Sequence, residues 1–488
     1  MADAVVVGSG PNGLAAAVLM ARAGLAVEVY EAADTIGGGC RTAEITLPGF
    51  RHDLCAGAHP MAVASPFLRA FDLPAHGVEL LVPQVSYAHP LDGGRAGLAW
   101  RDLGATVDGL GRDGAAWRRL FGPMVRNWED VVGLIMSDLR PPPIRPGGLL
   151  RTEIGVARRL LEQASPLWNL RFRDDIAPAL LTGVAAHAIR PPRGIPGAGV
   201  GLLLGTLAHV GGWPVPRGGS QAIVDALVAD LRAHGGRIHT GHRVDDIDEF
   251  DSVTAVLLDL APAELQRIAG DRLPGRYTRA LENFRYGGAA CKVDFALSGP
   301  VPWRGLGCDR AGTLHLVGSR AEAEAAEKTV AAGQHAERPY VLAIQPGVVD
   351  DTRAPAGQHT LYTYAHVPNG SKRDVSAEII AQVERFAPGF RDLILATHVR
   401  TAARMPAHNA NYIGGDISAG AVTLRQTVFR PVPRWNPYRT PLPGVYLCSS
   451  ATPPGPGVHG MNGYFAARHA LRREFGHRTD PLALLAGS

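Results

Sequence analysis

The chain opens on "ADAVVVGSGPNGLAAAVLMARAG", an apolar run, then glycines at positions 8, 10 and 13, then a helix-forming run. No other stretch restricts the fold as strongly. The order reads as buried strand, tight turn and helix, and the G-x-G-x-x-G spacing gives each glycine a task. Gly8 takes the sharpest point of the turn, Gly10 lets a diphosphate approach the backbone, and Gly13 lets the helix pack on the strand. The free N–H groups at the helix start, together with the positive end of its dipole, make a site for that diphosphate.

A chain with 59 glycines produces such spacings by chance, and "GAGVG" at 197–201 is a near miss. Context separates the two. The later run follows "RPPRGIP", which cannot be a buried parallel strand, whereas the first is followed by "LAVEVYE", a second strand ending on Glu31. Glu31 lies 18 residues beyond Gly13. A carboxylate there accepts hydrogen bonds from ribose hydroxyls and repels a 2′-phosphate, so a nucleotide with free hydroxyls is expected and NADP is not.

A few residues past the acid comes "GGGCRT", at 37–42. An N-terminal βαβ unit, an acid, a Gly-Gly pair and an Arg-Thr resemble the FAD-binding start of the phytoene dehydrogenase-like flavoproteins, the carotenoid desaturase and amine-oxidase-like group. That family usually shows Gly-Gly-Arg, whereas here Gly39 and Cys40 stand between Gly38 and Arg41. The resemblance implies an α/β chain with a Rossmann-like FAD-binding domain of the glutathione-reductase type and an inserted α+β substrate domain. It adds Gly38, Gly39, Arg41 and Thr42 to Gly8, Gly10, Gly13 and Glu31 as FAD-binding candidates.

The far end supplies a matching piece, "PGVYLCSSATPPGPGVHGMNGYFAARHALRREF" at 443–475, which reads as strand, glycine loop and helix. In the resembling family this closing helix points its N-terminus at the pyrimidine side of the flavin. Backbone N–H groups there stabilise the negative charge of a reduced ring, which makes Gly457, Gly460 and Met461 candidates. A third piece, at 215–244, reads as loop, helix, Gly-Gly turn and strand, and the resemblance sets Val244 against the adenine. Just after it "RVDDIDEFDS" runs into "VTAVLLDLAP", with no room for the extra hairpins that related flavoproteins often carry. The expected domains are therefore 1–75, 215–265 and 425–488 for FAD. A helical part at 76–214 and a β-rich part at 266–424 form the substrate domain, with a linker or rigid turn at "LRPPPIRPGG", 139–148.

Composition removes other classes. With 46% apolar and 19% charged residues the chain is an ordinary globular one, and no internal repeat of fixed period stands out. A formal charge of +4 without a basic block interleaved with aromatics argues against nucleic acid as a partner. Cys40, Cys55, Cys291, Cys308 and Cys448 are scattered and contain no C-x-x-C, so neither a disulfide framework, a metal site nor a disulfide reductase is expected. P-loop, H-E-x-x-H and G-x-S-x-G motifs are missing, and so is a second dinucleotide motif. Electrons would leave to dioxygen, a quinone or another diffusible acceptor. The first strand starts within a few residues with no basic or apolar leader, and no apolar run reaches the ~20 residues of a membrane helix. A cytoplasmic protein is expected, its oligomeric state left open. Residues 147–164 put Leu150, Ile154, Ala157 and Leu161 on one helical face beside Arg151, Arg158 and Arg159. That stripe either packs on its own protein or gives peripheral membrane contact.

A flavin carries the redox chemistry itself, so catalytic residues are hard to read from sequence. His59 and His459 are candidates by proximity to the nucleotide motif and the closing loop, set against a structural role for either. Lys292 opens an apolar strand, and related amine-oxidase-like enzymes place a lysine near the reactive flavin nitrogen; its bland alternative is a snorkelling strand-end lysine. Asp416, in "NYIGGDIS", either binds cofactor or makes a turn, and His187 and Arg217 are weaker candidates. The resemblance implies removal of hydride from a C–C or C–N bond of a mostly apolar, isoprenoid-like substrate. An amine oxidase-type enzyme, with Tyr412, Tyr464 and Phe465 as candidate walls, and a non-redox isomerase or FAD-binding structural partner are the alternatives.

Overall fold

The computed structural model describes residues 2–138 and 149–486, so the 139–148 linker lies outside the described residues. The strand Ala4–Val7 is wholly buried, as an apolar strand must be when helices cover both faces of a parallel sheet. It sits at the centre of a five-stranded sheet in the order 445–447, 255–258, 4–7, 27–30, 237–239. Every pairing is parallel. Among the described residues no strand lies between Arg237–His239 and Ala255–Leu258, so the chain returns straight to the sheet. The missing hairpins are therefore a feature of the fold.

The first helix, Pro11–Arg22, begins with proline, whose absent N–H costs nothing at that position, and is buried from Asn12 to Ala21. It packs against the closing helix Met461–Glu474 through a face of Gly463, Ala466, Ala467 and Ala470. The small residues are required: a Cβ on Gly463 would run into the carbonyl of Asn12. The two ends of the chain are thereby locked into one layer.

The second domain is built on a seven-stranded mixed sheet, in the order 394–400, 289–297, 359–367, 341–344, 311–316, 85–90, 96–100. Its two faces differ because side chains alternate along each strand. Cys291, Val293, Phe295, Leu314, Val341 and Ala343 belong to an apolar cluster with Ile379, Val383 and Phe386 of the helix Ser376–Phe386. The opposite face carries a row of Lys292, Tyr364, Leu342 and His315 and a parallel row of Asp294, Tyr362, Ile344 and Thr313, in register. This second face looks toward the nucleotide domain.

Two readings of the sequence change here. The 76–214 segment is not simply helical, since Val85–Pro90 and Ala96–Trp100 form a hairpin on the edge of the large sheet around Asp92-Gly93-Gly94. Within the helix Leu149–Ala164 the stripe points the other way: Ile154 and Leu161 are 60% and 62% exposed, while Val156 is 4% exposed. The helix packs on Ile195–Val210 through its Val156 side. The side chains of Leu150 and Arg151 lie outside the described residues. No helix among those described is long and apolar enough to cross a membrane.

Candidate active site

A cavity of about 820 Å³ runs between the two domains. It is lined by Gly8, Gly10, Glu31, Gly38, Arg41, Val244 and Asp259, and also by Gly39, His59 and Gly457. Ten residues from three distant parts of the sequence thus border one space, and all but Asp259 were expected to touch cofactor or substrate.

The nucleotide end is built by contacts that only glycine allows. A Cβ on Gly10 would lie 2.5 Å from Asp259 Oδ2, and Gly38, with φ of 53°, would bring a Cβ to 3.0 Å from Gly10 Cα. The two glycine loops therefore touch backbone to backbone. Glu31 accepts hydrogen bonds from the backbone N–H of Ser9 at 3.0 Å, the Ser9 hydroxyl at 2.6 Å and the Ala33 N–H at 2.9 Å. Its carboxylate is fixed in place, with lone pairs left for a ribose diol. These residues fit FAD: anchored carboxylate, glycine cradle, helix N-terminus, and enough further cavity for a ring system.

Other expected residues serve the frame, and of these Gly13 and Thr42 do not line the cavity. Gly13 donates its N–H to Asp259 Oδ2 at 3.0 Å. Thr42 donates to Asp53 Oδ1 at 2.7 Å; Asp53 also accepts from the Ser220 N–H and from Arg353, tying three chain segments together. Arg41 lines the cavity but spends its guanidinium on Gly38 O at 3.1 Å, Thr35 Oγ1 at 3.2 Å and the His408 carbonyl. Its role is to hold the GGG loop against the 406–412 segment.

The closing loop corrects the reading of His459. Its ring is fully buried: Nδ1 accepts from the Met461 N–H at 3.1 Å and Nε2 donates to Gly455 O at 3.2 Å, while the Ser65 hydroxyl donates to its carbonyl. Burial lowers its pKa to about 4, so it stays a neutral cap on the closing helix. Gly460, with φ of 67°, would drive a Cβ to 2.5 Å from Phe67, and it and Met461 pack behind the loop. Pro456, Gly457 and Val458 face the cavity instead. His459→Ala is expected to cost about 1 kcal/mol through the lost cap while leaving the pH profile of turnover unchanged. Thermal unfolding and kcat against pH check this together.

His59 lines the cavity from the start of the short helix Pro60–Ala64. Ser220 gives its hydroxyl proton to Ala56 O at 2.6 Å, so its oxygen accepts from His59 Nε2 at 2.7 Å. The His59 pKa falls to about 4 because of burial, leaving a neutral ring whose Nδ1 has no hydrogen-bond partner among the described residues. Lys292 does not reach the cavity; it is ion-paired with Asp294 and lies 4.0 Å from the centre of the Tyr362 ring, which does line it. Lys292 is no snorkelling residue either, being buried on the inner face of the sheet. Asp416 closes a turn by accepting from the N–H groups of Gly287, Ser418 and Gly420. Arg217 is on the surface with Glu79 and Asp351, and Tyr464 bonds Asp480, so neither approaches the cavity, nor does Phe465. His187 and Tyr412 do line it.

The sequence reading missed Asp259, Tyr362, Tyr364 and the Pro406–Asn411 segment that leads into Tyr412. Asp259 ends the strand Ala255–Leu258 where a parallel sheet presents its ligands, which was a readable signal. Burial, with a further push from Glu31, raises its pKa to about 7. Asn411 fixes its position by donating to Asp259 O at 2.8 Å and accepting from the Ala261 N–H at 2.6 Å.

The comparisons with known proteins agree with this geometry. The family model for flavin containing amine oxidoreductases matches residues 12–463. The chain belongs to that family. FAD is its cofactor, and the protein is an FAD-dependent oxidoreductase. A mouse (Mus musculus) protein described as pyridine nucleotide-disulfide oxidoreductase domain-containing protein 2 is 26% identical over 96% of this chain and 93% of its own. The neurosporene-forming phytoene desaturase of Rhodobacter capsulatus is 25% identical over 95% of this chain and 92% of its own. Among solved structures, an oxidoreductase from Methanosarcina mazei superposes with a TM-score of 0.62 at 17% identity, covering 96% of this chain and 100% of its own. A putrescine oxidase bound to putrescine gives 0.58 at 17% identity, covering 97% and 98%. These likenesses establish the two-domain fold, Rossmann-type FAD domain plus inserted substrate domain. The amine-oxidase branch, taken second in the sequence reading, has more support among them than the desaturase branch.

Proposed function

We propose that this FAD enzyme dehydrogenates an elongated, mostly apolar substrate held between the two domains. The observation that carries the reading is the character of the cavity beyond the nucleotide end. Leu134, Ile135, Leu160, Ile195, Leu203 and Ile344 line it, whereas the lining carboxylates Glu31, Asp259 and Glu264 all belong to the nucleotide domain. An alkylammonium would find no counter-ion in the apolar part. That favours a C–C bond or a hydrophobic amine over a small diamine. Two observations favour C–N chemistry: the family description, and the tyrosine walls formed by Tyr362, Tyr364 and Tyr412.

When bound, FAD supplies the hydride acceptor, and dioxygen or a quinone is the reoxidant in this reading. The chain's own residues orient and exclude water. His59 stays as the catalytic candidate, with Nδ1 as its free lone pair, and Lys292 acts from behind Tyr362 as a positioning charge. Substrate drawn from a lipid phase suits the exposed Ile154, Leu161, Leu167 and Leu170, which stand on or next to a helix whose inner face lines the cavity. Anaerobic mixing of the holoprotein with long polyenes, long-chain amines and putrescine tests the reading. Bleaching of the flavin by long apolar compounds is expected; bleaching by putrescine alone would contradict it.

A further inference from the structure

The apolar end of the cavity contains polar groups that the chemistry above does not use. Thr313 and His315 share one face of the strand Ala311–Leu316, and Thr313 lines the cavity. Thr313 is 1% exposed and its hydroxyl has no hydrogen-bond partner among the described residues. A buried hydroxyl without a partner is costly to keep, and a fold retains one where a ligand supplies the partner.

His187 stands on the turn Ala186–Ala188 and also lines the cavity. Its Nε2 lies 2.9 Å from Nε2 of His315, so one of the two rings donates and the other accepts. The rest of the network decides which. His315 Nδ1 is buried with no hydrogen-bond partner among the described residues, and an N–H stranded there would be costlier than a lone pair. The His315 proton therefore sits on Nε2 and is donated to His187. The His187 proton is thereby assigned to Nδ1, the ring nitrogen left for a ligand. The ring is held edge-on by Trp213 at 5.4 Å and by His315 at 5.0 Å between centroids. Burial brings the His187 pKa down to about 3, so it offers a neutral donor and no charge.

We propose that His187 and Thr313 bind an oxygen of the substrate, a hydroxyl or carbonyl carried on an otherwise apolar chain. This rests on the apolar-substrate reading above and names the substrate class more closely. A neutral N–H donor beside a hydroxyl suits a hydroxyl or carbonyl. Among the described residues no carboxylate lines this end to hold an ammonium, and two neutral groups give little to an anion. Leu342 and Ile344, facing His315 and Thr313 in register, leave the surroundings apolar, so the oxygen contact sets orientation as well as affinity.

The test compares a long-chain polyprenol with the hydrocarbon of the same skeleton, each titrated into the FAD-loaded protein and read by perturbation of the flavin spectrum. The polyprenol is expected to bind about tenfold tighter. His187→Phe and Thr313→Val should each reduce that preference, which is the ratio of the two affinities, while leaving flavin content unchanged. Equal binding of both compounds to the wild type, or an undiminished preference in both variants, would overturn the proposal. If a variant does not fold, ¹⁵N-histidine spectra of the wild type still decide: a proton on Nδ1 of His187 is expected, and one on Nε2 would refute the assignment. Because binding is read and not turnover, failure of the dehydrogenation reading would show separately, as a flavin that neither compound reduces.

Discussion

Gly10→Val is expected to purify without flavin, with FAD affinity reduced at least tenfold, or ~1.4 kcal/mol and more. The first added carbon would already stand 2.5 Å from Asp259 Oδ2, and Gly38 packs on the Cα of the same residue. Neither neighbour can withdraw easily, because Asp259 is held by the Gly13 N–H and by Asn411 on its carbonyl. The two branches of valine would then project into the space at the start of the helix Pro11–Arg22, where a diphosphate must lie. Flavin content per chain and a fluorescence titration with added FAD measure the loss. Since the strand and helix themselves are unchanged, far-UV circular dichroism should match the wild type.

Asp259→Asn is expected to change the pH dependence of stability more than any other single substitution at this site. In the folded flavin-free chain the carboxyl keeps its proton up to about pH 7, whereas an unfolded aspartate releases it near 4. The folded state thus binds the extra proton between those values, and its stability falls as pH rises through them. The contribution is full below about pH 4 and gone above about pH 7, an upper bound of roughly 4 kcal/mol at ~1.4 kcal/mol per unit. Asparagine keeps an oxygen for the Gly13 N–H and removes the buried charge. The variant should therefore be more stable than wild type at pH 8, with a flatter profile between pH 4 and 7. Urea unfolding of both flavin-free proteins across that range checks the sign. FAD affinity follows the same logic: an ionised Asp259 repels the diphosphate, so wild-type affinity should weaken toward pH 8 and that of the variant should not.

The nucleotide half of the molecule was legible because its instructions are local. Gly8, Gly10 and Glu31 act within one βαβ unit, and their spacing carries the geometry. The substrate half was not, because its residues meet only through the sheet register. Lys292, Tyr364, Leu342 and His315 come from four strands and share a row that no spacing in the sequence announces. The Val85–Pro90 and Ala96–Trp100 hairpin was hidden in a region dominated by helical periodicity, although Asp92-Gly93-Gly94 marks its turn.

Periodicity found the apolar stripe of Leu149–Ala164 but not the side on which the helix packs. Apolar residues occur on more than one face of that helix, and contact with Ile195–Val210 chose the side of Val156. Of the two roles left open for His459, the structure gives the structural one. Its position beside the closing loop was read well, but an imidazole can serve as a neutral cap as readily as a base, and only the Met461 N–H on its Nδ1 distinguishes the two. Arg41, Gly13 and Thr42 tell a similar story, since motif residues can act by bracing the cofactor's cradle without touching the ligand.

The most direct measurement of the central claim is the flavin content of the purified wild-type protein, by visible absorption followed by release and chromatographic identification of the bound nucleotide. One FAD per chain, bound at the cavity between the two domains and lost in Gly10→Val, is the predicted result. Protein that is folded by circular dichroism yet holds no flavin and takes up none on addition of FAD would contradict it.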